Sequence, residues 1–282
     1  MISQENLPLT AVRAAQEVFS AKLSGEPIAL VLITDGPSNT LAQRIAVKKL
    51  QNGQWHILGS FKENDLNSQA IGFARDVLNS SHLHGMNKHT VSTSSGETYT
   101  LFVEVHHPPP ELIIFGAGHI GQSLSSIGTM LGFRVTVADD RKEFVTKDRF
   151  PDAHQLLEVD FTEPLKNINI SHNSHFVLVT RGHKYDFECL RMLLRNKTEP
   201  VYIGMIGSRR RIRATFIQLM NDKIDPERLT RIRAPLGLDI GSETPVEIAI
   251  AVAAELVLLS KTGDGIPLSQ KEDIFNRFFK KK

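Results

Sequence analysis

The chain is expected to be an α/β protein in two parts, a small α+β domain followed by a parallel sheet with helices on both faces. Three observations predict this. From Leu112 to Asp140, an apolar run of strand length, a glycine-rich turn, a helical stretch and a second apolar run follow one another. Beyond that unit, strand-like and helix-like segments keep alternating, the pattern of parallel strands joined by crossover helices. At His106-His107-Pro108-Pro109-Pro110, residues without an N–H donor favour extended geometry and suit a short stiff linker. The expected boundaries are residues 1–105 for the α+β domain, 106–110 for the Pro-rich linker, 111–260 for a Rossmann-like nucleotide- or phosphate-binding domain, and 261–282 for a C-terminal tail.

Each element has a local reason. Thr10 can cap a helix running to about Leu23, with Val12, Ala15, Phe19 and Leu23 on one face. Ile28 to Thr34 is strand-like. Arg44–Leu50 and Trp55–Ser60 flank Asn52-Gly53, a strong hairpin signal. A helix is expected over Leu66–Leu78, then strands over His89–Thr93 and Thr98–Val105. After the linker, strands are expected at 112–115, 133–138, 154–159, 175–180 and 201–206. Thr244 to Glu247 reads as a capping box with Pro245 at the first helical position. The helix that follows is apolar enough to be buried. Ile248–Leu259 is too short to span a bilayer. The tail places Phe275, Phe278 and Phe279 at helical spacing before three lysines.

Ligands of such sheets bind beyond the carboxyl ends of the strands, so the residues after each strand matter most. In Gly116-Ala117-Gly118-His119-Ile120-Gly121, Gly116 permits the tight turn, Gly118 lets the backbone approach a pyrophosphate, and Gly121 seats the helix against the strand. The helix start offers free N–H groups to an anion. His119 would point toward a phosphate or substrate, or simply begin the helix. Asp139 and Asp140 end the second strand, where an acid can accept hydrogen bonds from a ribose. Arg141 could instead meet a 2′-phosphate, which leaves NAD and NADP both open.

After the fourth strand, His183 and Asp186 stand at i,i+3 and could pair, the carboxylate orienting the imidazole for proton transfer. Equally, Asp186 favours a first helical turn and His183 packs locally. After the fifth, Gly207-Ser208-Arg209-Arg210 opens a helix with arginines at its positive end, an arrangement that a bound anion would stabilise. The bland reading is a solvated basic patch, and Arg213 could equally face solvent. Asp239 sits between Gly237 and Gly241 in the loop before the capping box, with either a structural or a ligand role. Metal binding is not indicated: His82, His84 and His89 are loosely spaced without cysteine partners. Cys189, the sole cysteine, reads as an inert core thiol.

The segments FGAGHIG, VADDR, TRGHKYD, YIGMIGSRRR and PLGLDIGSETPVEIA, in this order over about 111–260, resemble the XdhC/CoxI family of maturation factors for xanthine dehydrogenase and related molybdenum hydroxylases. The resemblance implies an N-terminal XdhC/CoxI domain before a Rossmann domain. It also implies binding, protection and sulfuration of the molybdenum cofactor and delivery to an apo-enzyme client, with a cysteine desulfurase as a further partner. Gly116–Gly121 and Ser208-Arg209-Arg210 would form the nucleotide or pterin-phosphate surface. The N-terminal half departs from the family pattern. Gly36–Thr40 and Leu58–Glu63 stand where members carry Ser-Ser-Pro-Arg-type and Gly-Gly-Cys segments, and this half has no cysteine.

Three functions compete: a non-catalytic maturation chaperone, an NAD(P)-dependent oxidoreductase using His183, and a nucleotide-sensing regulator. A formal net charge of +2 over 282 residues predicts no general attraction to nucleic acid or membrane. One cysteine and an N-terminus without signal-peptide character point to the cytoplasm. A homodimer is the expected assembly.

Overall fold

The computed structural model describes residues 7–50, 52–79, 86–272 and 274–279. His82, His84 and the terminal lysines 280–282 lie outside them. The chain divides into two compact units, Met1–Pro109 and Pro110–Lys282.

In the first unit, β1 (Ile28–Asp35), β2 (Arg44–Lys49), β3 (Trp55–Leu58), β4 (Met86–Ser92) and β5 (Thr98–His106) form an antiparallel sheet in the order β3-β2-β1-β5-β4. The β2–β3 hairpin turns at Gly53, whose φ of +79° suits a residue without Cβ. Helix α2 (Asn64–Asn79) buries Leu66, Ala70, Ala74 and Leu78 against Ala29, Val31, Ile33, Ile45 and Val47 on one face of the sheet. Helix α1 (Ala11–Ser24) covers the other face, starting at Thr10, whose Oγ1 accepts from Arg13 N–H at 3.2 Å. Its orientation corrects the sequence reading. Ala14 and Ala21 are the buried positions, while Val12, Phe19 and Leu23 face solvent. The reason is anchorage: buried Lys48 on β2 reaches Glu17 on α1 at 3.4 Å, which turns the small residues inward.

The second unit is a doubly wound α/β domain. Strands β6 (Glu111–Phe115), β7 (Arg134–Asp139), β8 (Gln155–Glu158), β9 (Ser174–Leu178), β10 (Tyr202–Met205) and β11 (Ile232–Arg233) run parallel in the order β11-β10-β9-β6-β7-β8. Numbered from β6, that is 3-2-1-4-5-6 read from the β8 edge, so the strand order reverses between β6 and β9. Helices α3 (His119–Met130) and α7 (Pro245–Ser260) pack together on one face over Leu112, Ile114, Val135 and Val177. Helices α4 (His183–Arg195) and α5 (Arg209–Asn221) cover Phe115, Phe176 and Leu178 on the other. Short helices α6 (Pro226–Leu229), α8 (Leu268–Glu272) and α9 (Ile274–Phe278) complete the unit. The Thr244–Glu247 capping box is formed. Helix α7 is buried on one side only, because Val246, Ile250 and Val257 are exposed. Among the described residues, no helix is long and apolar enough to cross a membrane.

Candidate functional site

The glycine turn lies at the carboxyl end of β6, beside the point where strand order reverses. Its three glycines are held for different reasons. Gly116 has φ +122°, and a Cβ there would lie 2.5 Å from the carbonyl oxygen of Val179. A Cβ on Gly121 would lie 2.0 Å from the Gly116 oxygen. Both are demanded by the protein's own packing. Gly118 is not: its φ is −77°, and a Cβ would meet nothing within 4 Å. The space beside it is open. Gly118 is also the N-cap of α3 and supplies no side-chain oxygen to the first turn, so the helix start is open to an anion. His119 is exposed and Ile120 half-buried beside it.

At the end of β7, Asp139 and Asp140 have different surroundings. Asp139 is buried, and both of its oxygens are filled. Oδ1 accepts from the N–H of Arg141 (3.1 Å) and its Nε (2.8 Å). Oδ2 accepts from the N–H of Ala117 (2.8 Å) and from Arg141 Nη2 (3.0 Å). Burial alone would raise this carboxyl's pKa, but the Arg141 guanidinium and the two N–H groups outweigh it and hold it at about 2. Asp139 therefore fastens the glycine turn to β7. Asp140 is the reverse: Oδ2 accepts from Arg181 Nη2 at 2.7 Å, while Oδ1 is shut away from solvent with no donor. An unsatisfied buried acceptor costs about 1–3 kcal/mol. Arg141 lies over the Phe144 ring at 3.6 Å, and Arg149 lies over the same ring at 4.6 Å. Arg149 Nη2 also donates to the carbonyl of Ala117 at 2.8 Å, so the segment after β7 braces the turn.

Beyond β9, the proposed His183–Asp186 pairing is not formed. Asp186 is fully buried, accepting from Thr180 Oγ1 at 2.6 Å and from Arg211 Nε at 2.7 Å, with Arg211 Nη2 on the same oxygen. Burial pushes its carboxyl upward, and Thr180 and Arg211 pull it back only in part. The three groups tie α4 to α5, while His183 is left exposed. Of the four arginines opening α5, Arg211 is thus structural. Ser208 caps the helix by accepting from Arg211 N–H at 3.3 Å. Arg209 and Arg210 are exposed, and their side chains have no hydrogen-bond or ion-pair partner among the described residues. They follow β10, two strands from β6. Gly207 is half-buried ahead of them, and Asp239 is exposed.

Several residues of this edge have no role in the sequence reading. Arg149 is a single cation in a loop, and Arg181 lies within TRGHKYD without a role assigned to it. Glu255 is the lone acid in the body of the apolar α7, the one feature that could have flagged it. Its Oε2 accepts from Tyr202 Oη at 2.6 Å and from the N–H of Gly237 at 2.9 Å, holding the loop before α7. Cys189 is buried, and burial pushes its thiol well up. Among the described residues, no group of three or more His, Cys, Asp or Glu could hold a metal. His89 stacks on Phe73 at 4.3 Å.

A glycine turn at the reversal of a 3-2-1-4-5-6 parallel sheet defines a Rossmann domain. The chain belongs to the XdhC family: the family description "XdhC Rossmann domain" matches residues 112–256, just over half of the sequence. It is 32% identical over 177 residues to the uncharacterised protein YqeB of Escherichia coli K12, covering 62% of this chain and 32% of that protein. It is 31% identical over 165 residues to a Bacillus subtilis 168 protein described as a probable component of xanthine dehydrogenase, covering 58% of this chain and 47% of that protein. The chain thus spans between about a third and about half of the length of these curated relatives. Its fold is similar to a crystal structure of a xanthine dehydrogenase from Bacillus halodurans, with a TM-score of 0.63, 23% identity, and 95% of this chain and 71% of that one covered.

Proposed function

We propose that this protein is an accessory factor of a xanthine dehydrogenase-type system. Its Rossmann edge would hold a phosphorylated cofactor destined for, or sensed on behalf of, a molybdenum hydroxylase client. The carrying observation is Gly118, a glycine that neither backbone strain nor packing requires, set at an uncapped helix start. Family membership and the relative named for xanthine dehydrogenase support the client.

The residues present fit the phosphate-bearing half of such a cofactor. Gly118 and the first N–H groups of α3 would receive the phosphates, with Asp140 close by for a ribose or other hydroxyls. A bound nicotinamide dinucleotide would supply hydride chemistry, and molybdenum cofactor would supply the metal centre of the client. The fit to molybdenum itself is poorer. A thiolate is the soft ligand such a metal favours, and the one thiol here is buried and held protonated. Metal sulfuration would then depend on groups from the client or from a cysteine desulfurase. The oxidoreductase reading loses its acid–base pair, because Thr180 and Arg211 occupy Asp186.

Calorimetry on the purified protein tests this, with NAD+, NADP+, ADP and molybdenum cofactor released from a molybdenum enzyme as titrants. Saturable binding of at least one, lost in Gly118→Ala, is expected. Failure of all four would overturn the proposal. For the client, addition of the protein to apo-xanthine dehydrogenase should raise the yield of active enzyme; an unchanged yield would remove the accessory role.

A further inference from the structure

We infer that Asp140 is the ribose acceptor of the glycine-turn site and that Arg181 is its placeholder. A nucleotide enters by exchanging its ribose hydroxyls for that arginine, and the site so built takes a ribose with free 2′ and 3′ hydroxyls and rejects a 2′-phosphate. This rests on the reading of the turn as a nucleotide site.

Four observations carry it. First, Asp139, the acid that ends β7, has four protein donors on its two oxygens and none left to offer. Second, its neighbour Asp140 has a buried oxygen without a donor and a second oxygen held by Arg181 alone. Third, the ion pair lies across the ligand's path. Arg181 follows β9 and Asp140 follows β7, with β6 between them, so the 2.7 Å contact crosses the end of β6 where the glycine turn begins. Fourth, Arg181 has somewhere else to rest. Nη2 also donates to Tyr185 Oη at 2.9 Å, and the guanidinium lies 5.1 Å from the centre of that ring. It can release Asp140 without being stranded, and its exposed side chain would then stand on the β9 side of the turn, within reach of incoming phosphates.

The preference for an unphosphorylated ribose follows from the same contacts. In this fold, an arginine just after the second strand can receive a 2′-phosphate. Here Arg141 holds that place, but its Nε and Nη2 are spent on Asp139 and its face on Phe144. A 2′-phosphate would place its charge against the Asp140 carboxylate, and of the two arginines nearby Arg141 is tied to Asp139 while Arg181 is drawn off to Tyr185.

The test is calorimetry on the full chain with NAD+, NADP+ and adenosine, with thermal melts to confirm folding. Wild type should bind NAD+ at least about tenfold more tightly than NADP+, and Asp140→Asn should lose about tenfold in NAD+ affinity while the preference collapses, since a hydrogen bond to a charged acceptor is worth about a factor of ten or more. Arg181→Met leaves Asp140 in place and should bind adenosine more tightly than wild type, because the competing cation is gone. Weaker adenosine binding by that variant would make Arg181 a plain ligand contact and overturn the exchange. NAD+ binding with an unchanged preference in Asp140→Asn would overturn the ribose assignment while leaving the nucleotide site standing. Absence of NAD+, NADP+ and adenosine binding in every variant would remove both.

Discussion

Gly118 and Gly121 are three positions apart, yet only one of the spaces left by their missing side chains is claimed by the protein. At Gly121 it belongs to the protein: an added Cβ would sit 2.0 Å from a backbone oxygen that cannot give way. Gly121→Ala is expected to cost on the order of 3 kcal/mol, read by chemical denaturation. At Gly118 nothing lies within 4 Å, so Gly118→Ala should keep the wild-type melting curve while nucleotide affinity falls. An equal loss of stability in both would show that Gly118 serves packing. Asp139 makes a separate prediction in acid. Its carboxyl sits at about 2, below the ordinary 3.8, so the folded state releases this proton more readily than the unfolded chain does. The resulting stability is complete above the ordinary value and disappears as pH falls toward about 2. Between about pH 4 and pH 2, wild type should lose roughly 2 kcal/mol more than Asp139→Asn. The turn role of Gly116 and the packing role of Gly121 were legible in the sequence, because spacing alone states them. The division of labour between Asp139 and Asp140 was not, since adjacent acids on a strand look alike until their donors are known.

At the scale of elements, most strands and helices could be read from periodicity and turn chemistry, as with the Asn52-Gly53 hairpin and the Thr244 capping box. Two misreadings have physical causes. Strand β11 is only Ile232–Arg233, too short for any alternation to register. Helix α1 carries an apolar stripe at helical spacing that proved to be its outer face, because ion pairing through buried Lys48 and contact through alanines set its orientation. Apolar periodicity locates a helix better than it locates the side that packs. Phe19→Gln should therefore change stability by no more than about 0.5 kcal/mol, whereas Ala21→Leu, at a fully buried site, should cost about 1–3 kcal/mol. Denaturant titration of the two variants checks the ranking, and a reversal would mean that the stripe is covered in solution.

For the whole molecule, the sequence showed the fold class because the two units differ in grammar, antiparallel hairpins before the prolines and strand–helix alternation after them. It showed the candidate edge through the strand-end rule, but not the contacts that cross it. The Thr180–Asp186–Arg211 knot and the Arg181–Asp140 pair each join residues far apart in sequence, and local pattern carries no trace of them.

The only tryptophan, Trp55, belongs to β3 of the first unit, where Arg75 and Lys49 lie 5.3 Å and 5.6 Å from its ring. Indole emission is therefore a private reporter of that unit's melting, while far-ultraviolet ellipticity sums both. If the units unfold separately, as compact bodies of one chain can, the two optical signals will trace different curves in urea. A cofactor seated at the glycine turn should then displace the ellipticity trace and leave the fluorescence trace where it was; superimposable traces that shift together would reveal a single cooperative body.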